Sequence, residues 1–280
     1  ITKDSYILIK SGRQSLASQW KELTQYRSLG ISLARRDFKV RYAQTKLGTL
    51  WALIQPLLSM AVLFLVFQRA LQADTQSIPF LSYTLSGLIF WGFFNYNLSQ
   101  GAASLIQART MLQKIYFPRI LLVLSKSLVA SVDLIFVLIL FVFVAFADAH
   151  FTLFSLGSFV AALLMSFFAS QGLALWFAAL SLRFRDLQQI IPFFAQMLFF
   201  LSPIAYSPEL WHTALNEKFQ ILLYLNPMMG ILEIWRAGIF ELGFSANING
   251  ISVSIAFSLA LFLSGWIYFQ KVERKMADLL

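Results

Sequence analysis

The sequence has no cysteine and only two histidines, His150 and His212. Disulfide frameworks, thiolate-bound zinc, thiol nucleophiles and multi-histidine metal sites are therefore excluded. Charge is scarce too: 12% of the 280 residues are charged, where soluble domains carry about a quarter. None of the 13 glycines is followed by lysine, so the Gly-Lys-Ser/Thr cradle that wraps nucleotide phosphates in backbone N–H groups is absent. A Rossmann fingerprint, an H-E-x-x-H helix, internal repeats and low-complexity tracts are also missing. The nearest approach to a metal pair, Glu209-x-x-His212, reads as a solvated outer-loop helix.

Apolar residues dominate instead. They make up 59% of the chain, including 29 Phe, and mean hydropathy is +0.70. That is more apolar surface than a water-facing exterior can hide, so the expected class is an all-α membrane protein. Stretches near the roughly 20 residues needed to cross a bilayer run at about 48–68, 79–106, 120–147, 152–182, 187–206 and 250–269. This predicts six spans, and seven or eight is the other possible count. Residues 219–240 are also apolar, but Pro227 and Gly230 cut them into pieces too short to cross, which suggests short re-entrant or interfacial helices. The expected organisation is a cytoplasmic or interfacial segment over 1–46, a six-span domain over 47–270 and a cytoplasmic tail over 271–280. No apolar run in the first 46 residues resembles a signal peptide.

Basic residues set the orientation. Counted over six spans, 18 of the 22 Lys and Arg fall on one side: the N-terminal segment, the connection holding Arg109, Lys114 and Arg119, the Arg183/Arg185 turn, and the tail. The opposite side holds Arg69, Lys218 and Arg236 against six acids. The excess of cations on the cytoplasmic side then places both termini there, in a cytoplasmic (inner) membrane.

Several spans carry polar groups that hydrocarbon does not tolerate. The inner half of the second, NYNLSQGAASLIQ, must face protein or water. In the third, Lys126 and Asp133 lie seven apart, on one helical face, and Asp133 is too deep to reach water by snorkelling. Two readings of Asp133 stand equally: a pore or gate residue, or a polar clamp between helices. Upstream, Leu16, Trp20, Leu23 and Tyr26 recur at helical spacing, as in an amphipathic helix lying at the inner leaflet. A second stretch sets Ile31, Ala34 and Phe38 on one face with Arg35, Arg36, Lys39 and Arg41 around them, suited to anchoring on lipid phosphate or to being pushed by a cytoplasmic partner.

Four strings, taken in order, carry a resemblance: ISLARRDFKVRYAQTKLGTLWALIQPLLSM, LRFRDLQQIIPFFAQMLFFLSPIAYSPE, LNPMMGILEIWRAGIF and FQKVERKMADLL. From about Ile31 to the end the chain resembles the permeases of type-2 ABC exporters, nearest to those that export O-antigen, teichoic acid and capsule-like polysaccharides. The resemblance implies a homodimer working with two copies of a separate ABC ATPase. That partner would bind ATP and Mg, leaving this chain without cofactor, catalysis or nucleic-acid role. It also implies an interfacial helix bearing Trp20, Arg35, Arg36, Asp37 and Arg41. A coupling helix that docks on the ATPase would fall at Arg109, Thr110, Met111, Leu112, Gln113, Lys114 and Tyr116. Short gate helices between spans five and six would fall over Pro208 to Phe240. By the same likeness Arg185 and Asp186 sit at the inner turn, and Pro203, Tyr206, Pro227, Glu233 and Arg236 around the gate.

A polar, extended glycan needs a wet path walled by rings, whose faces meet sugar C–H groups without fixing a hydroxyl pattern. Trp91, Tyr96, Tyr206 and Trp235 are candidates for that wall, and Asn95, Asp133, Glu233 and Arg236 for the polar groups of the channel or gate. The expected cargo is a lipid-linked polysaccharide. Other readings are a type-2 exporter of a drug or lipid, a membrane enzyme acting on polyprenyl-linked sugars, and an ion-coupled secondary transporter. The last two lack, respectively, paired carboxylates at one leaflet and intramembrane acids in paired halves.

Overall fold

The computed structural model describes residues 16–43, 45–114, 116–184, 186–214, 217–242 and 248–274. Among them every regular element is a helix. Two N-terminal helices, α1 (Leu16–Gln25) and α2 (Arg27–Tyr42), precede a 3-10 turn (Gly48–Leu50) that runs straight into α3 (Trp51–Leu63) and a π-helical stretch (Phe64–Ala70). Next come the long α4 (Phe80–Gln107), the single turn α5 (Arg109–Leu112), and the long α6 (Ile120–Val144) and α7 (Leu153–Ser181). The chain continues through α8 (Leu187–Leu201), α9 (Glu209–Ala214), α10 (Glu217–Leu223) and α11 (Pro227–Ile239) to α12 (Ile248–Glu273).

Among the described residues four helices are long and apolar enough to cross a membrane: Gly48–Ala70, α6, α7 and α12. At 28 residues α4 has the length, about 42 Å, but its polar C-terminal half lowers its hydropathy. Its surroundings explain this. It packs against α3, α6, α7, α8 and α11, and most of it is buried. A helix walled by protein has no need to present apolar groups to lipid. By contrast α8 has 15 residues, about 22 Å, and stops well short of the expected 206. Ser202 ends it in an extended conformation, φ −94° and ψ 138°, to which the residue before a proline is driven; here that proline is Pro203.

The segment after α8 forms three helices of 6, 7 and 13 residues, each too short to cross. Pro227 separates two of them as expected, opening α11 while the Asn226 side chain accepts from the Met228 N–H. Gly230 does not break α11, contrary to the sequence expectation. It lies within the helix because a Cβ there would come 2.5 Å from the Ser254 Cβ of α12. Between α7 and α12 the contact is with backbone: a Cβ on Gly172 would lie 2.5 Å from the Leu261 carbonyl carbon. Small residues that let backbones touch are the usual means of helix association where lipid supplies no hydrophobic drive.

Buried side chains form two clusters. One, around Phe90, Phe94, Phe141 and Trp235, joins α4, α6, α7 and α11. The other, around Leu112, Ile120, Trp266 and Phe269, joins α5, α6, α7 and α12, with Leu23 and Leu33 of the N-terminal helices packed into it.

Candidate functional site

The two N-terminal helices do not share one role. α2 runs alongside α6 and meets it at three levels: Gly30 opposite Leu121, Asp37 opposite Lys126, and Arg41 with Tyr42 opposite Asp133. Lys126 is buried, and its ammonium donates to Asp37 Oδ2 over 2.5 Å, while Arg36 Nη2 donates to Asp37 Oδ1 over 2.9 Å. Further along, Asp133 takes the Arg41 guanidinium at 2.8 Å on one oxygen and the Tyr42 hydroxyl on the other. Burial first, then the carboxylate it donates to, raises the Tyr42 pKa far above its ordinary value and keeps it a donor. Charges this far from water persist only when paired, and each of these is.

The Arg41–Asp133 pair also forms one wall of a cavity of about 310 Å³. Its other walls come from α3 (Ala52, Gln55, Pro56, Ser59) and from one stripe of α4: Leu88, Trp91, Gly92, Asn95, Tyr96, Ser99 and Gln100. That stripe follows the i, i+3, i+4 rule and divides the polar half of α4 in two. Asn95, Ser99 and Gln100 face the cavity, whereas Asn97 and Ser104 face protein. Asn97 Oδ1 accepts from Gln171 Nε2 of α7 over 3.0 Å, and Gln171 also reaches Ser127 of α6. Pro56 has no N–H, so the Ala52 carbonyl loses its helical donor within the helix that forms this wall. The Arg41 guanidinium lies 4.4 Å from the Tyr96 ring centroid, so ring face and charge share one surface.

Five residues singled out from the sequence therefore converge here: Arg41, Trp91, Asn95, Tyr96 and Asp133. Gln55, Ser59 and Tyr42 were missed. Gln55 and Ser59, four apart in the first apolar stretch, were a readable signal, because polar groups in such a stretch need protein or water.

The remaining candidates gather at the far end of α4. Arg236 is fully buried and spends its guanidinium on Ser86 Oγ (Nε, 3.0 Å) and on the carbonyls of Pro203 (2.6 Å), Tyr83 (3.1 Å) and Ile204 (3.0 Å). It also lies 3.6 Å from the Tyr83 ring centroid. Residues Ser202 to Ser207 are irregular yet buried, and their carbonyls need donors that neither water nor a helix supplies there. Arg236 supplies those of Pro203 and Ile204, since guanidinium offers five donors in a fixed fork, and the Tyr83 hydroxyl supplies that of Tyr206. Tyr206 donates to the Phe200 carbonyl over 2.7 Å, accepts from Trp211 Nε1 over 3.0 Å and stacks on Phe67. Glu233 accepts from the Tyr224 hydroxyl over 2.8 Å. Trp235 sits in the apolar cluster against Phe90, Phe141 and Phe159, away from the polar cavity.

At the opposite end Leu112 is buried and pins α5, leaving Arg109, Thr110, Gln113, Lys114 and Tyr116 exposed and Met111 half-buried. Arg35 and Arg36 are exposed on α2, Trp20 belongs to α1, Asp186 precedes α8, and Arg185 lies outside the described residues.

Residues 29–240 match the model of the family described as ABC-2 type transporter. The chain belongs to that family. Among curated relatives, this ABC-2 transporter chain is 29% identical over 222 residues to the O-antigen export system permease protein RfbA of Myxococcus xanthus, covering 79% of this chain and 84% of that protein. It is 24% identical to a Klebsiella pneumoniae protein of the same name (89% and 94% covered) and 23% identical to the polysialic acid transport protein KpsM of Escherichia coli (88% and 93%).

Proposed function

We propose that the chain is the membrane subunit of an ATP-driven exporter that carries a lipid-linked polysaccharide, such as O-antigen, across a bacterial cytoplasmic membrane. Two copies form the conduit, and two copies of a separate ABC ATPase bind ATP and Mg beneath them. Each copy contributes six spans, with α4 and α8 added to the four apolar helices and both termini cytoplasmic. Residues 1–46 form the cytoplasmic or interfacial segment, with an amphipathic helix at the inner leaflet. Residues 47–270 form the spans, 271–280 the tail, and α9 to α11 are re-entrant gate helices at the outer mouth.

One observation carries this reading: a cavity inside the helical bundle walled by Trp91, Tyr96, amides, hydroxyls and a neutralised ion pair, in a chain whose relatives are named for O-antigen export and polysialic acid transport. Ring faces and amides suit a sugar polymer, and the Arg41–Asp133 pair leaves the wall without the net charge that would hold a repeating cargo in place. The second copy is supported by α3 and the π-helical stretch after it, which expose Leu57, Leu58, Val62 and Leu65 and bury little against their own chain. The ATPase contact is assigned to α5 and the turn after it. Because Leu112 ties them to Ile120 at the start of α6, a push there reaches the bundle through packed side chains.

The test is purification of the tagged chain with its co-expressed ATPase, together with polymer export in cells. Lys114→Glu with Arg109→Glu should abolish ATPase binding and export while the permease still inserts. Unchanged ATPase binding would overturn the docking assignment. Uphill transport by the permease alone on a proton or sodium gradient would overturn the function.

A further inference from the structure

We propose that the groove between α2 and the outer face of α6 is a binding site for one anionic glycerophospholipid. The groove holds about 440 Å³ and is floored by Ile31, Phe38, Leu128 and Val132, with Arg35 and Lys39 at its rim. That volume lies within the ~300–1,000 Å³ of small-molecule sites. The lining is almost wholly apolar apart from the two cations, and no other described element packs across it. It lies along α6 beside the polar cavity, with the Asp133 contacts of Arg41 and Tyr42 at the end of α2 between them.

The charges select the ligand. Arg35 and Lys39 are four residues apart on one helix, so their Cβ atoms are about 6 Å apart and the like charges are neighbours, at a small cost in helix stability. Neither has an ion-pair partner among the described residues. The nearest acid, Asp37, is already committed: Arg36 holds Oδ1 and Lys126 holds Oδ2. A phosphodiester between the two cations removes their repulsion, and an acyl chain below it fills the groove. The head group must add no cation of its own, because a choline would bring a third positive charge to a site that already has two. The site therefore takes phosphatidylglycerol rather than phosphatidylcholine, and free phosphate lacks the apolar half. The bound lipid fastens α2 along α6 on the side away from the Lys126–Asp37 pair.

The experiment is native mass spectrometry of the full-length protein in detergent, titrated separately with phosphatidylglycerol and phosphatidylcholine. One phosphatidylglycerol per chain should be retained at concentrations where phosphatidylcholine is lost. Arg35→Gln with Lys39→Gln should lower that retention about tenfold or more, given roughly 1 kcal/mol per cation near a lipid phosphate. Val132→Trp, which fills the groove without changing charge, should expel the lipid as well. The control pair Lys46→Gln with Lys271→Gln removes two other exposed cations and should leave retention unchanged. Equal retention of both lipids, or retention indifferent to the Arg35/Lys39 pair, overturns the site. So does a Val132→Trp variant that keeps the lipid but changes the oligomeric mass, since the groove would then join two copies.

Discussion

Lys126 donates to Asp37 over 2.5 Å, tying α6 to the helix that precedes the first apolar stretch, and both side chains are largely withdrawn from solvent. Removing one partner of such a pair leaves a buried charge uncompensated, at a cost of about 3–5 kcal/mol. Asp37→Ala should therefore lower the thermal midpoint of the detergent-solubilised protein by several degrees. The exchange Asp37→Lys with Lys126→Asp should recover much of the loss. A single variant with an unchanged midpoint would show that α2 is held on α6 by apolar contacts alone.

One level along, the Asp133 pair with Arg41 differs from the Asp37 pair in place: it lines the cavity. Asp133→Asn keeps an acceptor for the Tyr42 hydroxyl but frees the guanidinium beside Tyr96. Export should fall sharply while the thermal midpoint moves less than for Asp37→Ala, because the Arg41 side chain keeps 28% of its surface exposed where Lys126 keeps 6%; Arg41→Gln in the same chain should restore part of the flux by removing the stray cation. Full export by Asp133→Asn would reduce the residue to a structural role.

How far the sequence foretold these contacts depends on how local each one is. The spacing of Lys126 and Asp133 showed that they share a face, and the polar half of α4 showed that it needed protein or water; both readings rest on one helix's own period. Their partners did not show, because Asp37 and Arg41 belong to another helix, and a single sequence does not say which helix faces which. Arg236 looked like a cation of the outer segment, near Glu233 and Tyr206. Its burial beneath residues 202–207 is a tertiary fact with no local pattern. The early end of α8 was readable only in part, since Pro203 disfavours a helical conformation at Ser202, yet Ile191 before Pro192 stays helical within the same element. Apolar composition on both sides of Pro203 hid it.

The Arg236 knot makes a separate claim about the outer segment. Lysine keeps the charge but has one ammonium where Arg236 uses three nitrogens: Nε on Ser86, Nη1 on the Pro203 carbonyl and Nη2 on the Tyr83 and Ile204 carbonyls. A buried acceptor such as the Pro203 carbonyl then loses its donor, at about 1–3 kcal/mol. Arg236→Lys should loosen residues 202–207 from α4. The chain has no cysteine, so Ser207→Cys gives a single reporter at a site that is now buried. Labelling by a membrane-impermeant maleimide should be slow in the Ser207→Cys protein and fast when Arg236→Lys is added. Equal rates would place the rigidity of this segment elsewhere, in the Tyr83 hydroxyl bond to the Tyr206 carbonyl, 2.9 Å long.

Two glycines of α7 separate helix propensity from helix contact. Gly157 and Gly172 lie in the same helix, yet a Cβ on Gly157 meets nothing within 4 Å, whereas one on Gly172 lies 2.5 Å from the Leu261 carbonyl carbon and 2.6 Å from the Phe262 nitrogen. Backbone atoms cannot swing aside as a side-chain tip can, so the methyl would have to push α12 away. That would also strip Gly265, whose own Cβ would lie 2.4 Å from the Gly172 carbonyl oxygen, of its close contact. Gly157→Ala should be neutral or raise stability by up to ~1 kcal/mol through reduced backbone freedom. Gly172→Ala should destabilise by about 1–3 kcal/mol, the usual cost of overpacking. Unfolding of both variants in mixed micelles by a graded denaturing detergent distinguishes the two sites. Equal midpoints would mean that α7 and α12 stand further apart in the membrane than these contacts require.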